Sequence, residues 1–304
     1  MSLDSSTVIS GSFPALEQYL ARLHAREGTE ATTKLRLDGA GRALGSYFHA
    51  TLTSAFQPIR LAHSGEIVGY EGFARSYSKH DDGLSIWKLL ESSANDDESI
   101  ELDRLCRMLH AINFYRQAGA GVSIHQSADN SPAPAPGSAA EADLYLSLSG
   151  RLLAAVGSNH GMAFRRILDL LELPHEKIVL QIPIVTGGQS WLLDYVLNNY
   201  RRNGFRLAVG AVDAVAALAL VETVQADVIK INGRHLHDEE CVAHLLLLAA
   251  RRGIKVAFKC VESPAVADKL RRLAEQTGHA IYAQGYFWDM PLDTLSAPAA
   301  IGAE

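Results

Sequence analysis

Residues 177–210 read KIVLQIPIVTGGQSWLLDYVLNNYRRNGFRLAVG. The first six residues, Lys177–Ile182, form a short run rich in β-branched side chains, which predicts a buried strand. Trp191–Asn203 then spaces its apolar residues as one face of a helix. Gly204 supplies the left-handed stop that ends many helices. Phe205–Val209 predicts a second strand. A strand, a helix, a glycine stop and another strand make a βα unit of a parallel sheet. The same rhythm continues downstream. A helix is predicted at Val212–Val221 and a strand at Asp227–Ile231, then a helix at His237–Arg251 and a strand at Lys255–Val261. The helix Ala265–Gln276 and the strand Ala280–Gln284 follow, with Gly253 and Gly278 as further stops. Upstream, helices are predicted at Ser85–Ser93, Ile100–Gln117 and Met162–Leu173, with a strand at Leu144–Leu148. Ala55–Leu61 and Ile67–Phe73 read as a hairpin around His63-Ser64-Gly65-Glu66. The total is about eight strands over some 230 residues, which favours a closed α/β barrel over an open sheet.

The chain has 304 residues, so the barrel leaves room for flanking segments. Residues 1–50 read as a helical leader, with one helix at Phe13–Leu23 and a second over Ala43–Leu52. Residues 51–296 read as the barrel and 297–304 as a tail. Within the barrel, residues 122–143 are rich in Pro, Ala and Ser and lie between a helix and the next strand. They read as a mobile insertion on the side away from the strand C-termini. The leader and this insertion are the candidate surfaces for a protein partner or a homodimer.

The chain is 48% hydrophobic and 20% charged, which excludes disorder for its bulk. With 28 Lys plus Arg against 34 Asp plus Glu, the net charge of -6 argues against a nucleic acid polymer as partner. No apolar run reaches the roughly 18–20 residues of a membrane span. No signal peptide is visible. Cys106, Cys241 and Cys260 are widely spaced, as reduced thiols in a cytoplasmic protein would be. Other chemistries lack support. His235, His237 and His244 have no metal-ligand spacing on one face, and Gly187-Gly188 is not followed by a phosphate-loop Gly-Lys-Ser/Thr.

An ordered set of short motifs carries more. Phe56-Gln57-Pro58-Ile59 precedes Tyr70-Glu71-Gly72-Phe73-Ala74-Arg75. Glu101-Leu102-Asp103-Arg104, Leu146-Ser147-Leu148-Ser149, Lys230-Ile231-Asn232 and Val261-Glu262-Ser263 follow. The set ends with Gln284-Gly285-Tyr286-Phe287-Trp288-Asp289-Met290-Pro291. In order and spacing this resembles the EAL domain family, over roughly residues 50–295. The resemblance implies a TIM-like (β/α)8 barrel whose first strand runs antiparallel to the rest. It also implies bacterial cyclic di-GMP signalling, since the family hydrolyses cyclic di-GMP to pGpG with Mg²⁺ or Mn²⁺.

The departures from the family pattern bear on catalysis. Glu71 keeps the signature carboxylate. Ser147 stands where the family has Asn, and Gln181 where it has Glu. Gly210 and Ala211 stand where it has paired Asp, Asn232 where it has Asp, and Lys259 where it has Glu. Paired metals lower the pKa of bound water from 15.7 to about 7, and without them hydroxide is scarce. The expectation is therefore a degenerate member with no catalytic residues, no metal and no cofactor. Its barrel mouth would bind cyclic di-GMP through Gln57, Glu71, Phe73, Arg75, Lys230, Glu262 and Gln284, as degenerate relatives do, with Tyr286 and Phe287 beside a base. The lost carboxylates also leave that mouth less acidic than the family pattern. The alternative is a protein-interaction module with an idle pocket, and residual phosphodiesterase activity ranks third. Plainer roles stand beside each site residue. Glu71 could only pair with Lys230 or Lys259, Arg75 with Glu262, and Glu101 with Arg104. Gln284 and Gly285 could only turn the chain, Asp103 could brace its helix, and Phe73, Tyr286 and Trp288 could be core.

Overall fold

The computed structural model describes residues 13–25, 34–48, 50–78, 81–84, 96–125, 139, 141–150, 160–184 and 190–295. The elements begin with α1 (Pro14–Ala25), β1 (Leu35–Leu37), β2 (Ala43–Tyr47), β3 (Ala50–Leu61), β4 (Ile67–Ser78) and β5 (Asp81–Leu84). Then come α2 (Asp96–His125), β6 (Asp143–Ser147), α3 (His160–Leu170), β7 (Ile178–Ile182), α4 (Ser190–Arg202) and β8 (Arg206–Ala211). The chain ends with α5 (Ala214–Thr223), β9 (Val228–Asn232), α6 (Glu239–Arg251), β10 (Lys255–Lys259), α7 (Pro264–Thr277) and β11 (Ile281–Ala283).

Eight strands close a barrel. β4 and β6 through β11 pair in parallel, and β3 closes the ring antiparallel between β4 and β11. Two kinds of burial alternate along each strand, as the two-residue period requires. Outward side chains meet the helices in two clusters, one under α1 to α4 and one under α5 to α7. Inward side chains form a plug of Ile59, Tyr145, Val179, Ala208, Val228 and Ala257. One period further along the strands stand Gln57, Ser147, Gln181, Gly210, Lys230 and Lys259. The fold therefore lifts the site residues from the plug to the C-terminal mouth.

The helices start and stop for local reasons. Asp213 caps α5 by accepting from the Ala216 N–H, and Asp238 caps α6 by accepting from the Cys241 N–H. Ser263 caps α7, and Pro264 opens its first turn. Gly204, Gly253 and Gly278 all adopt positive φ, between 67° and 81°.

The leader departs from the expected second helix over Ala43–Leu52. β2 occupies Ala43–Tyr47, and β3 starts at Ala50, five residues before the predicted strand. Tertiary contacts override local pattern here. The Asn113 side chain accepts from the Ala43 N–H and donates to its carbonyl, at 2.8 and 2.9 Å. At Gly45 a Cβ would lie 2.8 Å from Leu109 Cδ1, so α2 packs directly on strand backbone. Phe48, at φ 49°, turns β2 into β3. α1 matches the predicted Phe13–Leu23 helix. The helix predicted at Ser85–Ser93 lies outside the described residues. α2 runs past the predicted Gln117 end to His125, into the start of the predicted insertion. Residues 126–138 of that insertion lie outside the described residues. Among the described residues no helix is long and apolar enough to cross a membrane.

Candidate functional site

The mouth is organised around the Lys230 ammonium. Its three donors reach Glu71 Oε2 at 2.8 Å, Gln181 Oε1 at 2.6 Å and Gln284 Oε1 at 3.1 Å. Beneath it, the Tyr145 ring centroid lies 5.5 Å away, close enough for a cation–π contact. Gln181 turns its amide nitrogen to the other oxygen of Glu71, at 2.7 Å, and to Ser147 Oγ at 3.2 Å. Gln284 donates to Gln57 Oε1 at 3.0 Å, and Gln57 donates to the Asp289 carbonyl at 2.7 Å. Glu71, Lys230, Gln181, Gln284 and Gln57 are all buried.

The network is satisfied and neutral, with one carboxylate and one ammonium. Burial raises the pKa of Glu71. The Lys230 charge, with hydrogen bonds from Lys230 and Gln181, outweighs this and holds the carboxyl below its ordinary value. Position 181 decides the pattern. An amide donates to Glu71 and accepts from Lys230 at once, whereas a carboxylate has no donor to offer.

The residues do not fit a divalent pair. Mg²⁺ and Mn²⁺ favour oxygen ligands, carboxylates among them. Glu71 is the single carboxylate of the network, and both its oxygens are bonded to protein. Among the described residues no three His, Cys, Asp or Glu side chains gather as a metal-binding group. Of the two positions at which the resemblance implies paired Asp, Gly210 is in phase with the inward Ala208. Ala211 packs outward in the α5–α7 cluster. Asn232 spends its side-chain oxygen on the Arg234 N–H, at 3.0 Å.

The structure thus brings together Gln57, Glu71, Lys230 and Gln284 of the predicted ligand set. Phe73 lies one strand period beyond Glu71, 36% exposed at the rim. Arg75 does not pair with Glu262. It donates to the Pro291 carbonyl at 2.5 Å, and Glu262 makes a fork with Arg234 at 2.7 and 3.0 Å. Tyr286 and Phe287 are exposed, while Trp288 is half-buried against the α5–α7 cluster. Asp103 links its helix to the mouth by accepting from the Ser149 N–H, and it pairs with buried Arg107 at 2.8 Å. Glu101 pairs with Lys34.

Three participants received no role from sequence reasoning, although Asp289 stood in a quoted motif. Tyr145 is in phase with Ser147 and could have been found from the alternation. Arg60 and Asp289 form a two-bond fork, at 2.7 and 2.9 Å, across 229 residues, which no local window contains.

Comparison with known proteins places this geometry. The family model described as EAL domain matches residues 44–291. A solved EAL enzyme, Bd1971, in its cAMP- and cyclic-di-GMP-bound form, is 17% identical with TM-score 0.62, over 80% of this chain and 62% of that one. A standalone versatile EAL protein from Vibrio cholerae O395, in its c-di-GMP-bound form, is 18% identical with TM-score 0.59, over 81% and 94%. The Bacillus subtilis YkuI protein, in complex with substrate c-di-GMP and calcium, is 20% identical with TM-score 0.57, over 82% and 57%. The chain thus spans about three fifths of Bd1971 and of YkuI. No curated protein sequence matches it.

Proposed function

Since the chain belongs to the EAL domain family, we propose that it is a non-hydrolytic receptor for cyclic di-GMP that works without a divalent metal. One observation carries this reading. The Lys230 ammonium is held by oxygens of Glu71, Gln181 and Gln284, so a tethered cation stands among the side chains a metal pair would need. A phosphodiester needs an activated water to be hydrolysed, and no residue of this network is free to generate one. A dianionic ligand still meets favourable groups. Arg75 is an exposed guanidinium with donors beyond the one given to Pro291. Phe73, Tyr286 and Phe287 offer exposed rings on which bases can stack.

Titration calorimetry at about 100 μM protein and ligand tests this. Binding weakened about tenfold or more in Arg75→Ala, the worth of one hydrogen bond to a charged group, supports the receptor; absence of heat of binding in the parent protein removes it. A second reading has its own observation. Phe73, Tyr286, Phe287 and Met290 leave exposed apolar surface at or near the mouth, and such patches serve protein partners as well as bases. Under that reading the chain is an interaction module and cyclic di-GMP gives no signal.

A further inference from the structure

The segment that follows β11 runs up to the mouth and then along the open edge of β3. Gly285 lies against Val261 so closely that a Cβ would sit 1.9 Å from its carbonyl oxygen. Phe287 donates its N–H to that same carbonyl. The Asp289 carboxylate is forked by Arg60, and the Asp289 carbonyl accepts from Gln57. The Pro291 carbonyl accepts from Arg75. Phe56 and Leu292 exchange both backbone bonds, at 2.6 and 3.0 Å, in the gap that β2 and β11 leave on β3. The far end is anchored away from the mouth. Asp293 pairs with Arg42, which Asp38 also holds. Gln117 of α2 donates to the Asp293 carbonyl and accepts from the Leu295 N–H, at 3.0 and 2.9 Å.

We infer that residues 289–295 are a positioning seam, in which Gln117 and Arg42 set the affinity of the mouth for a cyclic dinucleotide without touching it. The inference rests on the receptor reading. Two of its ligand residues, Gln57 and Arg75, are fixed by carbonyls of one short segment, and a carbonyl can aim a donor only as well as its own backbone is held. An Arg side chain left unaimed must be ordered by the ligand, which weakens binding. The anchors join this segment to the β1–β2 connection and to α2, so changes in the leader reach the mouth through it.

The test uses Gln117→Ala and Arg42→Met in the full chain. Gln117→Ala is expected to weaken cyclic di-GMP binding at least about fivefold, the lower end of ordinary coupling between sites. Arg42→Met is expected to do so less, because its ion pair is part-exposed. In an Arg75→Ala background the effect of Gln117→Ala should shrink, since the two act through one contact. A general loss of packing would instead leave the effects additive, and additivity overturns the inference. An unchanged affinity in both anchor variants overturns it as well. If the parent protein binds no cyclic di-GMP, the receptor reading fails by itself. Hydrogen exchange in ligand-free protein then decides the seam: faster exchange of the Phe56 and Leu292 amides in Gln117→Ala supports the link, and unchanged rates overturn it.

Discussion

Lys230 brings a positive charge into a buried site where Glu71 supplies the balancing negative one. Removing one member of such a pair strands the other, at a cost of about 3–5 kcal/mol. Lys230→Met should lose that much in urea denaturation, and Glu71→Gln in the same chain should recover most of it. Equal losses in the single and double variants would contradict the pairing. Gln181→Glu should also destabilise, by roughly 1–3 kcal/mol with chelator present, because it places a second carboxylate 2.7 Å from Glu71 and removes a donor. A thermal melt checks this, and an unshifted midpoint counts against the amide's role. His110 sets an acid limit. It packs on Gly72, 2.9 Å from Ser54 Oγ, and burial lowers its pKa to about 4, against a smaller opposing effect of Glu71. Its folded pKa lies below its unfolded value near 6.5, so the unfolded chain binds the extra proton between those values. Stability from this group is complete above about pH 6.5 and drains away as pH falls toward 4, by up to roughly 3 kcal/mol. Glu71, whose pKa is also depressed, adds a loss at more acidic pH. His110→Asn should flatten the slope of stability between pH 6.5 and 4; an unchanged slope would place the proton elsewhere.

At the scale of elements, the parallel part of the barrel was legible because its signal is local. Val179 and Gln181 share one face of β7, and Val228 and Lys230 share one face of β9, within windows of five residues. The caps Asp213, Asp238 and Ser263 and the glycine stops are equally local. β2 was not legible as a strand. Its fate is set by Asn113 and Leu109, about sixty to seventy residues away. The seam was hidden for the same reason, although Gln284-Gly285 and Pro291 stood out as motif residues. Two glycines separate a structural demand from a tolerance. Gly285→Ala forces a Cβ to 1.9 Å from the Val261 carbonyl oxygen and should cost at least about 3 kcal/mol. Gly72→Ala brings a Cβ to 3.0 Å from His110 Cγ, a side chain that can shift, and should cost about 1 kcal/mol. Melting the two variants side by side checks the order; a reversed order would show that the seam tolerates displacement.

For the whole molecule, a net charge of -6 coexists with a buried network whose two charges, on Glu71 and Lys230, cancel. The family resemblance implies carboxylates at the positions that Gln181, Gly210, Asn232 and Lys259 occupy. The identities of these residues were readable in sequence, and their consequence was not. Composition cannot tell that Gln181 bonds Glu71 and Lys230 together, or that Arg75 faces Pro291 and leaves Glu262 to Arg234. Spacing and strand phase alike leave Lys230 and Lys259 as candidate partners for Glu71; the folded barrel gives Glu71 Oε2 to Lys230, at 2.8 Å. The barrel keeps the family's architecture while a tethered ammonium stands among the candidate ligand residues. The most direct test is the heat of cyclic di-GMP binding measured in EDTA and again with excess Mn²⁺, with the nucleotide recovered afterwards. The same affinity in both, with cyclic di-GMP recovered intact, is the predicted result. Binding that requires Mn²⁺, or recovery of pGpG, would contradict it.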